Sequence, residues 1–251
     1  MSYKIKEMSW TEFERRRGET DTVIVPTGAV EVYGPHLPVG TDGIVADALS
    51  VLVAERTGAL ISPTFDLGES SGLIGFPGTF TLTRETFHNV IDEIFLELIR
   101  YGFKNYLFIT GHAGNVDSIG YLSRKYQRER GIVCGQVDWW RFARTNEGDI
   151  FEMKAHMAHG HASECGTSVM LHLRPDLVHM EKAVCEEPGP DYTRYADFSR
   201  YVPLEKKTDS GTVGDATLGS AEKGKRIVEK CVDRIVEYMA YEFGKTYPAK
   251  G

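Results

Sequence analysis

Apolar residues along the chain fall into two alternating patterns. Short unbroken runs occur at 21–26 (with Val23-Ile-Val-Pro26), Ala59–Pro63, Asn105–Thr110 (NYLFIT) and Ile132–Val137. Their length and their β-branched and aromatic content are those of buried strands. Longer stretches between and after them carry apolar positions at helical spacing: Gly43–Arg56 (GIVADALSVLVAER), a segment opened by Thr83 with Phe87, Val90, Ile91, Ile94, Phe95, Leu98 and Ile99 on one stripe, then 117–130, Thr167–Leu173 and Ser220–Phe243. Gly102 and Pro175 close two of these helices, and a short polar helix over Ser9–Arg17 finds a cap in Ser9 or Thr11. Strands that alternate with helices predict an α/β fold, three-layer αβα, with a mainly parallel central sheet and helices on both faces. Residues Glu186–Asp209 are polar and broken by Pro188, Gly189, Pro190 and Pro203, so they read as a long ordered loop, a lid or an oligomer contact.

Open parallel sheets place their sites where strands end. The first strand runs into Thr27–Asp42, a Gly/Pro-rich loop that carries Glu31, His36 and Asp42. Asp42 stands just before a helix and can cap it while pointing its other oxygen at a metal. The third strand runs into Gly111-His112-Ala-Gly-Asn115, and the fourth into Asp138-Trp139-Trp140. A histidine such as His112 after a strand suits a hydrogen-bonded structural group as well as a ligand; the flanking Gly111 and Gly114 favour a close backbone approach there. Further along, His156, His159, His161 and Glu164 cluster within 154–168, where the alternative is a solvated loop. Glu31, His36, Asp42, His112, the three clustered histidines and Glu164 together make a donor set for a divalent metal if the strand ends bring them to one edge. Cys165 beside His161 reads as an inert thiol at the start of a buried helix, and neither Val213-Gly-Asp215 nor the 75–78 stretch forms a phosphate-binding fingerprint.

Composition adds exclusions. The 251 residues are 41% hydrophobic and 26% charged, which suits one globular domain over 1–251. A net charge of -7 without a long basic run argues against nucleic acid as a partner. No apolar run reaches membrane-spanning length, and the start lacks a signal-peptide core. Four cysteines (Cys134, Cys165, Cys185, Cys231) without a CxxC pair suit reduced thiols in a cytoplasmic protein.

At this point the motifs themselves carry a resemblance. Glu31-Val-Tyr33-Gly-Pro-His36-Leu-Pro-Val-Gly-Thr-Asp42 resembles the EQHGPHLPLxTD signature of the creatininase (creatinine amidohydrolase) family. Phe76-Pro-Gly-Thr79 resembles its FPGT loop, Gly111-His-Ala-Gly-Asn115 its GHGGN, His161-Ala-Ser-Glu164-Cys-Gly166-Thr-Ser168 its HAGExETS, and Ser210-Gly-Thr-Val-Gly-Asp215 its SGVxGD turn. All five follow the family order over residues 20 to 225.

The resemblance implies the three-layer fold, a site for one or two divalent ions (zinc, manganese or iron), a homo-oligomer that is often a hexamer, and hydrolysis of a small polar cyclic substrate. Carried over by position, it implies Glu31, Asp42 and His112 as one metal site with Asp42 the bridge, and Glu164 as a carboxylate of a second site. It implies His161 as the catalytic histidine near the leaving group, and Trp140 with the retained His36 on the substrate side. Two positions depart from the pattern. Tyr33 replaces a ligand histidine of the second metal, and Gly166 replaces the glutamate of ETS. A neutral phenol is a poor ligand, so Tyr33 is expected to donate a hydrogen bond to water or substrate. The implied reaction opens a cyclic amide C–N bond: metal-activated water attacks the carbonyl, Asp42 or Glu164 takes a proton, and His161 protonates the departing atom. The alternatives are hydrolysis of a ring C–C bond in an oxidised (diketo) inositol, a deformylase, or a binding protein that keeps the fold.

Overall fold

A computed structural model describes residues 2–189, 194 and 201–247. The first helix, α1 (Trp10–Glu19), is capped by Ser9, whose Oγ accepts from Glu12 N. Strand β1 (Thr22–Thr27) is followed by α2 (Thr41–Thr57), β2 (Leu60–Ile61), α3 (Arg84–Arg100), β3 (Asn105–Thr110), α4 (Val116–Arg130) and β4 (Val133–Asp138). Then come the short helices α5 (Trp139–Asn146) and α6 (His156–His159), α7 (Glu164–Leu173), a small antiparallel pair β5 (Cys185–Glu186) and β6 (Gly214–Asp215), and α8 (Ala221–Glu242).

The main sheet is parallel, in the order β2-β1-β3-β4. Its side chains alternate with period two. Ile24, Leu107 and Ile109 join Leu49 and Val53 of α2, Val169 of α7 and Ile227, Cys231 and Ile235 of α8 in one core. Val23, Val25, Tyr106 and Phe108 face the other way, onto Phe87, Ile91 and Phe95 of α3 and Ile119, Leu122 and Tyr126 of α4. Helices thus cover both faces, as the alternation of spacings predicted.

The chain turns outward from β1 to β2, then crosses back through α3 to β3. This makes the gap between the carboxyl ends of β1 and β3 the switch point of the sheet. Thr27, Thr110 and Asp138 lie side by side at that edge.

Several local expectations change. The second strand shrinks to a two-residue ladder. Asp42 lies inside the first turn of α2 and its side chain does not cap that helix; Gly40 occupies the cap position and the carboxylate turns to His112 and Trp140. The last apolar helix before Pro175 starts at Glu164, not Thr167. Within the polar stretch 186–209, residues 190–193 and 195–200 lie outside the described residues. Glu186 at its start accepts from Asp209 N (2.7 Å) and Ser210 N (3.1 Å). No helix among the described residues is long and apolar enough to cross a membrane.

Candidate metal centre

The loop after β1 brings Glu31 over the edge of the sheet. Glu31 N donates to Val39 O (2.8 Å), and Val32 N donates to Thr79 Oγ1 (3.1 Å), which ties this loop to the Phe76–Thr79 turn. Asp42 enters from α2 and His112 from the end of β3. Among the described residues these three offer ligand atoms that all lie within 4.8 Å of one another. His112 Nδ1 is 3.0 Å from Glu31 Oε2 and 3.3 Å from Asp42 Oδ2. All three side chains are buried.

The glycines around His112 make that convergence possible. A Cβ at Gly111 would lie 2.3 Å from Asp42 O, and one at Gly114 would lie 2.1 Å from Glu69 O. Both contacts are far inside van der Waals distance, so only glycine lets these backbones approach. Asn115 completes the joint: Nδ2 donates to Gly28 O (2.9 Å) and Oδ1 accepts from Glu69 N (3.2 Å).

The surrounding groups fix how His112 binds. Its Nε2 lies 2.6 Å from Glu69 O. A carbonyl only accepts, so Nε2 carries the hydrogen and Nδ1 faces the carboxylates. Ser70 Oγ donates to Glu31 Oε2 (2.7 Å), and Trp140 Nε1 donates to Asp42 Oδ1 (3.1 Å). Burial and the Glu31 charge push Asp42 up to about 7. Burial pushes Glu31 up as well, but His112 and the Ser70 hydroxyl bring it below its ordinary value. Burial alone would lower His112; the two carboxylates hold it well above its usual range. Two buried carboxylates facing one imidazole nitrogen demand a positive charge between them. A divalent cation meets that demand with a preorganised N/O/O donor set, and the held tautomer suits it.

Next to this cluster stand Tyr33, Trp140 and His161. The Tyr33 ring is 4.6 Å from the His161 ring and 5.9 Å from Trp140, centroid to centroid. Burial, then the charges of Asp42 and Glu31, raise the Tyr33 phenol well above its ordinary value, so it stays protonated. Its Oη makes no hydrogen bond among the described residues. His161 Nε2 lies 2.6 Å from Val32 O, so Nε2 bears the hydrogen and Nδ1 is left for proton transfer. Burial lowers the His161 pKa against the opposing charge of Glu31, and so favours the uncharged ring. The 210–215 turn braces it from behind, with Val213 N donating to His161 O (2.8 Å).

Other sequence candidates lie elsewhere. Glu164 is fully buried in the first turn of α7, where its oxygens accept from Glu152 N, Met153 N and Lys223 Nζ, so it is not brought to the cluster. His36 is sealed from solvent and faces Thr167 Oγ1 at 2.8 Å. His159 pairs with Glu147. Glu69 and Ser70 were not legible in the sequence: one acts through its backbone carbonyl, the other is a serine in a glycine-rich loop.

A three-layer α/β chain with a buried N/O/O cradle at its switch point has the frame of a metal-binding αβα protein. The creatininase family (creatinine amidohydrolase) matches residues 6–239. The chain is 31% identical to the creatinine amidohydrolase of Pseudomonas putida over 96% of its own length and 98% of that protein's. It is 30% identical to the mycofactocin precursor peptide peptidase of Mycolicibacterium smegmatis (86% and 85%) and 27% identical to the 3-dehydro-scyllo-inosose hydrolase of Thermotoga maritima (96% and 84%). A manganese creatininase structure superposes with a TM-score of 0.83 at 28% identity, covering 98% of this chain and all of that one. A mutant creatininase of Zn-Zn type gives 0.81 at 29%, with 98% and 100% covered. The chain belongs to the creatininase family, and it is a divalent-metal-dependent hydrolase.

Proposed function

We propose that the enzyme opens a small cyclic amide at its C–N bond with one tightly held divalent ion per chain. The observation that carries this is His161, its Nε2 committed to Val32 O and its ring 4.6 Å from that of Tyr33, beside the Glu31–Asp42–His112 cradle. An ion held there would supply Lewis acidity for a carbonyl and a water of lowered pKa. Glu31, Asp42 and His112 would hold it. His161 Nδ1 would collect the proton shed by the attacking water and hand it to the departing nitrogen. Tyr33 Oη, kept protonated, would donate to the carbonyl oxygen as negative charge builds there. Trp140 would wall the substrate while its indole N–H holds Asp42 in place.

What surrounds Asp42 supports the single-ion reading. Its Oδ1 accepts from Trp140 Nε1, and the Tyr33 ring, which stands where the family pattern has a ligand histidine, packs 5.9 Å from that indole.

A second reading is hydrolysis of a ring C–C bond in a diketo-inositol. The protonated Tyr33 phenol favours it, because a departing enolate needs a nearby donor, and one relative is named an inosose hydrolase.

Assays of manganese- and zinc-loaded protein against creatinine, other small cyclic amides and a diketo-inositol decide between them. Ring opening of an amide supports the first reading. Turnover of the diketone alone transfers the assignment to the second.

A further inference from the structure

Between Asp138 and Glu164 the chain leaves the end of β4 and returns to the site, and both ends of this strap touch the metal centre's surroundings. It departs through Trp140, bonded to Asp42, and comes back through His161, bonded to Val32 O. Its middle, residues 147–155, is irregular. Two alanines in the returning half are forced into the left-handed region: Ala155 and Ala162, each at φ 52°, bracket the four-residue α6. Non-glycine residues stay there only when their surroundings hold them.

One buried side chain holds the strap. Glu164, in the first turn of α7, is fully buried. Its Oε1 accepts from Glu152 N (3.1 Å) and Lys223 Nζ (2.7 Å), and its Oε2 accepts from Met153 N (3.1 Å). Lys223, on α8, also reaches Glu152 Oε1 (2.7 Å) and Leu218 O (2.8 Å). Two consecutive backbone N–H groups and an ammonium thus converge on one carboxylate, which leaves its charge fully satisfied. Loss of the ammonium would leave a buried carboxylate without its countercharge; loss of the carboxylate would strand two backbone donors and leave the ammonium with Glu152 and Leu218 O alone.

We infer that Glu164 is a positioning residue: with Lys223 it pins the strap at Glu152 and Met153, and so sets where Trp140 and His161 stand against the metal centre. This rests on the proposed function only for the roles of those two residues; the pin itself does not depend on the substrate.

The test compares Glu164→Gln, Lys223→Met and Lys223→Arg in a Trp10→Phe background, so that Trp139 and Trp140 are the emitters. Three readouts need no substrate: metal per chain, protease cleavage within 147–155, and tryptophan emission. Glu164→Gln and Lys223→Met are expected to keep the wild-type metal content, to be cleaved about tenfold faster or more, and to shift the emission; Lys223→Arg should restore both toward wild type. Once a substrate is in hand, kcat should fall in the first two variants with less change in KM. If Glu164→Gln does not fold, Lys223→Met is read on the same three measures. Loss of the metal in Glu164→Gln would make it a ligand and overturn the inference. Unchanged cleavage and emission in Lys223→Met would overturn it as well, whatever the assays against amides and diketones return.

Discussion

Gly166 lies against the edge of the Tyr33 ring: a Cβ added at 166 would stand 3.3 Å from Tyr33 Cε1 and 3.8 Å from its Oη. The two departures from the family pattern are therefore one packing unit, in which the missing side chain at 166 leaves room for the phenol. Gly166→Ala would push the ring by a few tenths of an ångström. Overpacking of this kind costs roughly 1–3 kcal/mol, and the penalty should shrink by about 1 kcal/mol or more when Tyr33 is already alanine. Urea unfolding of the two single variants and the double variant measures the coupling; additive effects would show that the residues do not touch.

The same unit bears on metal content. Protein purified without added metal should carry one tightly bound divalent ion per chain. Tyr33→His, combined with Gly166→Glu, supplies an imidazole and a carboxylate next to Asp42 and is expected to gain a second ion and lose native turnover. Elemental analysis decides it, and two ions in the unaltered protein would sink the single-ion reading.

Asp42→Asn separates metal binding from folding. Gly40, not the Asp42 side chain, occupies the cap position of α2, so helix content should persist. The metal, by contrast, loses a charged ligand and should fall away at least in part. Circular dichroism and metal analysis on the same sample would reveal a wrong assignment as unchanged metal.

His161→Ala removes the proposed proton carrier but none of the cradle. Metal should stay, while turnover drops about 10²–10⁴-fold. A parallel loss of metal and activity would instead place His161 among the ligands.

His36 gives a pH signature away from the metal. Burial holds its pKa down at about 4, against an ordinary value of 6.5. The unfolded chain therefore takes up a proton that the folded chain refuses, and stability falls as pH drops from 6.5 toward 4. At pH 5 this one group should lower stability by about 2 kcal/mol relative to pH 7. His36→Gln, whose amide can still meet Thr167, should show a smaller acid loss in urea titrations at the two pH values; equal losses would show that His36 is not the cause.

The fold was legible because apolar runs of two periodicities need no long-range information. The metal triad was legible for a related reason: Glu31 and His112 follow strand ends, and Asp42 starts the helix after the first. Gly111 and Gly114 signalled close contacts, and both are there. What failed was orientation. Nothing in the local sequence says that the first turn of α7 turns Glu164 toward Lys223, 59 residues on, or that His36 packs under Thr167. Those choices are made by tertiary packing, as is the recruitment of Glu69 through its backbone.

The cradle is complete by His112, whereas Trp140, His161, Gly166 and the strap that aims them all come later in the chain. Changes at His161, Gly166 or the strap alter what faces the ion while Glu31 and His112 stay where they are; a change at Trp140 reaches the ion as well, because its indole N–H donates to Asp42 Oδ1.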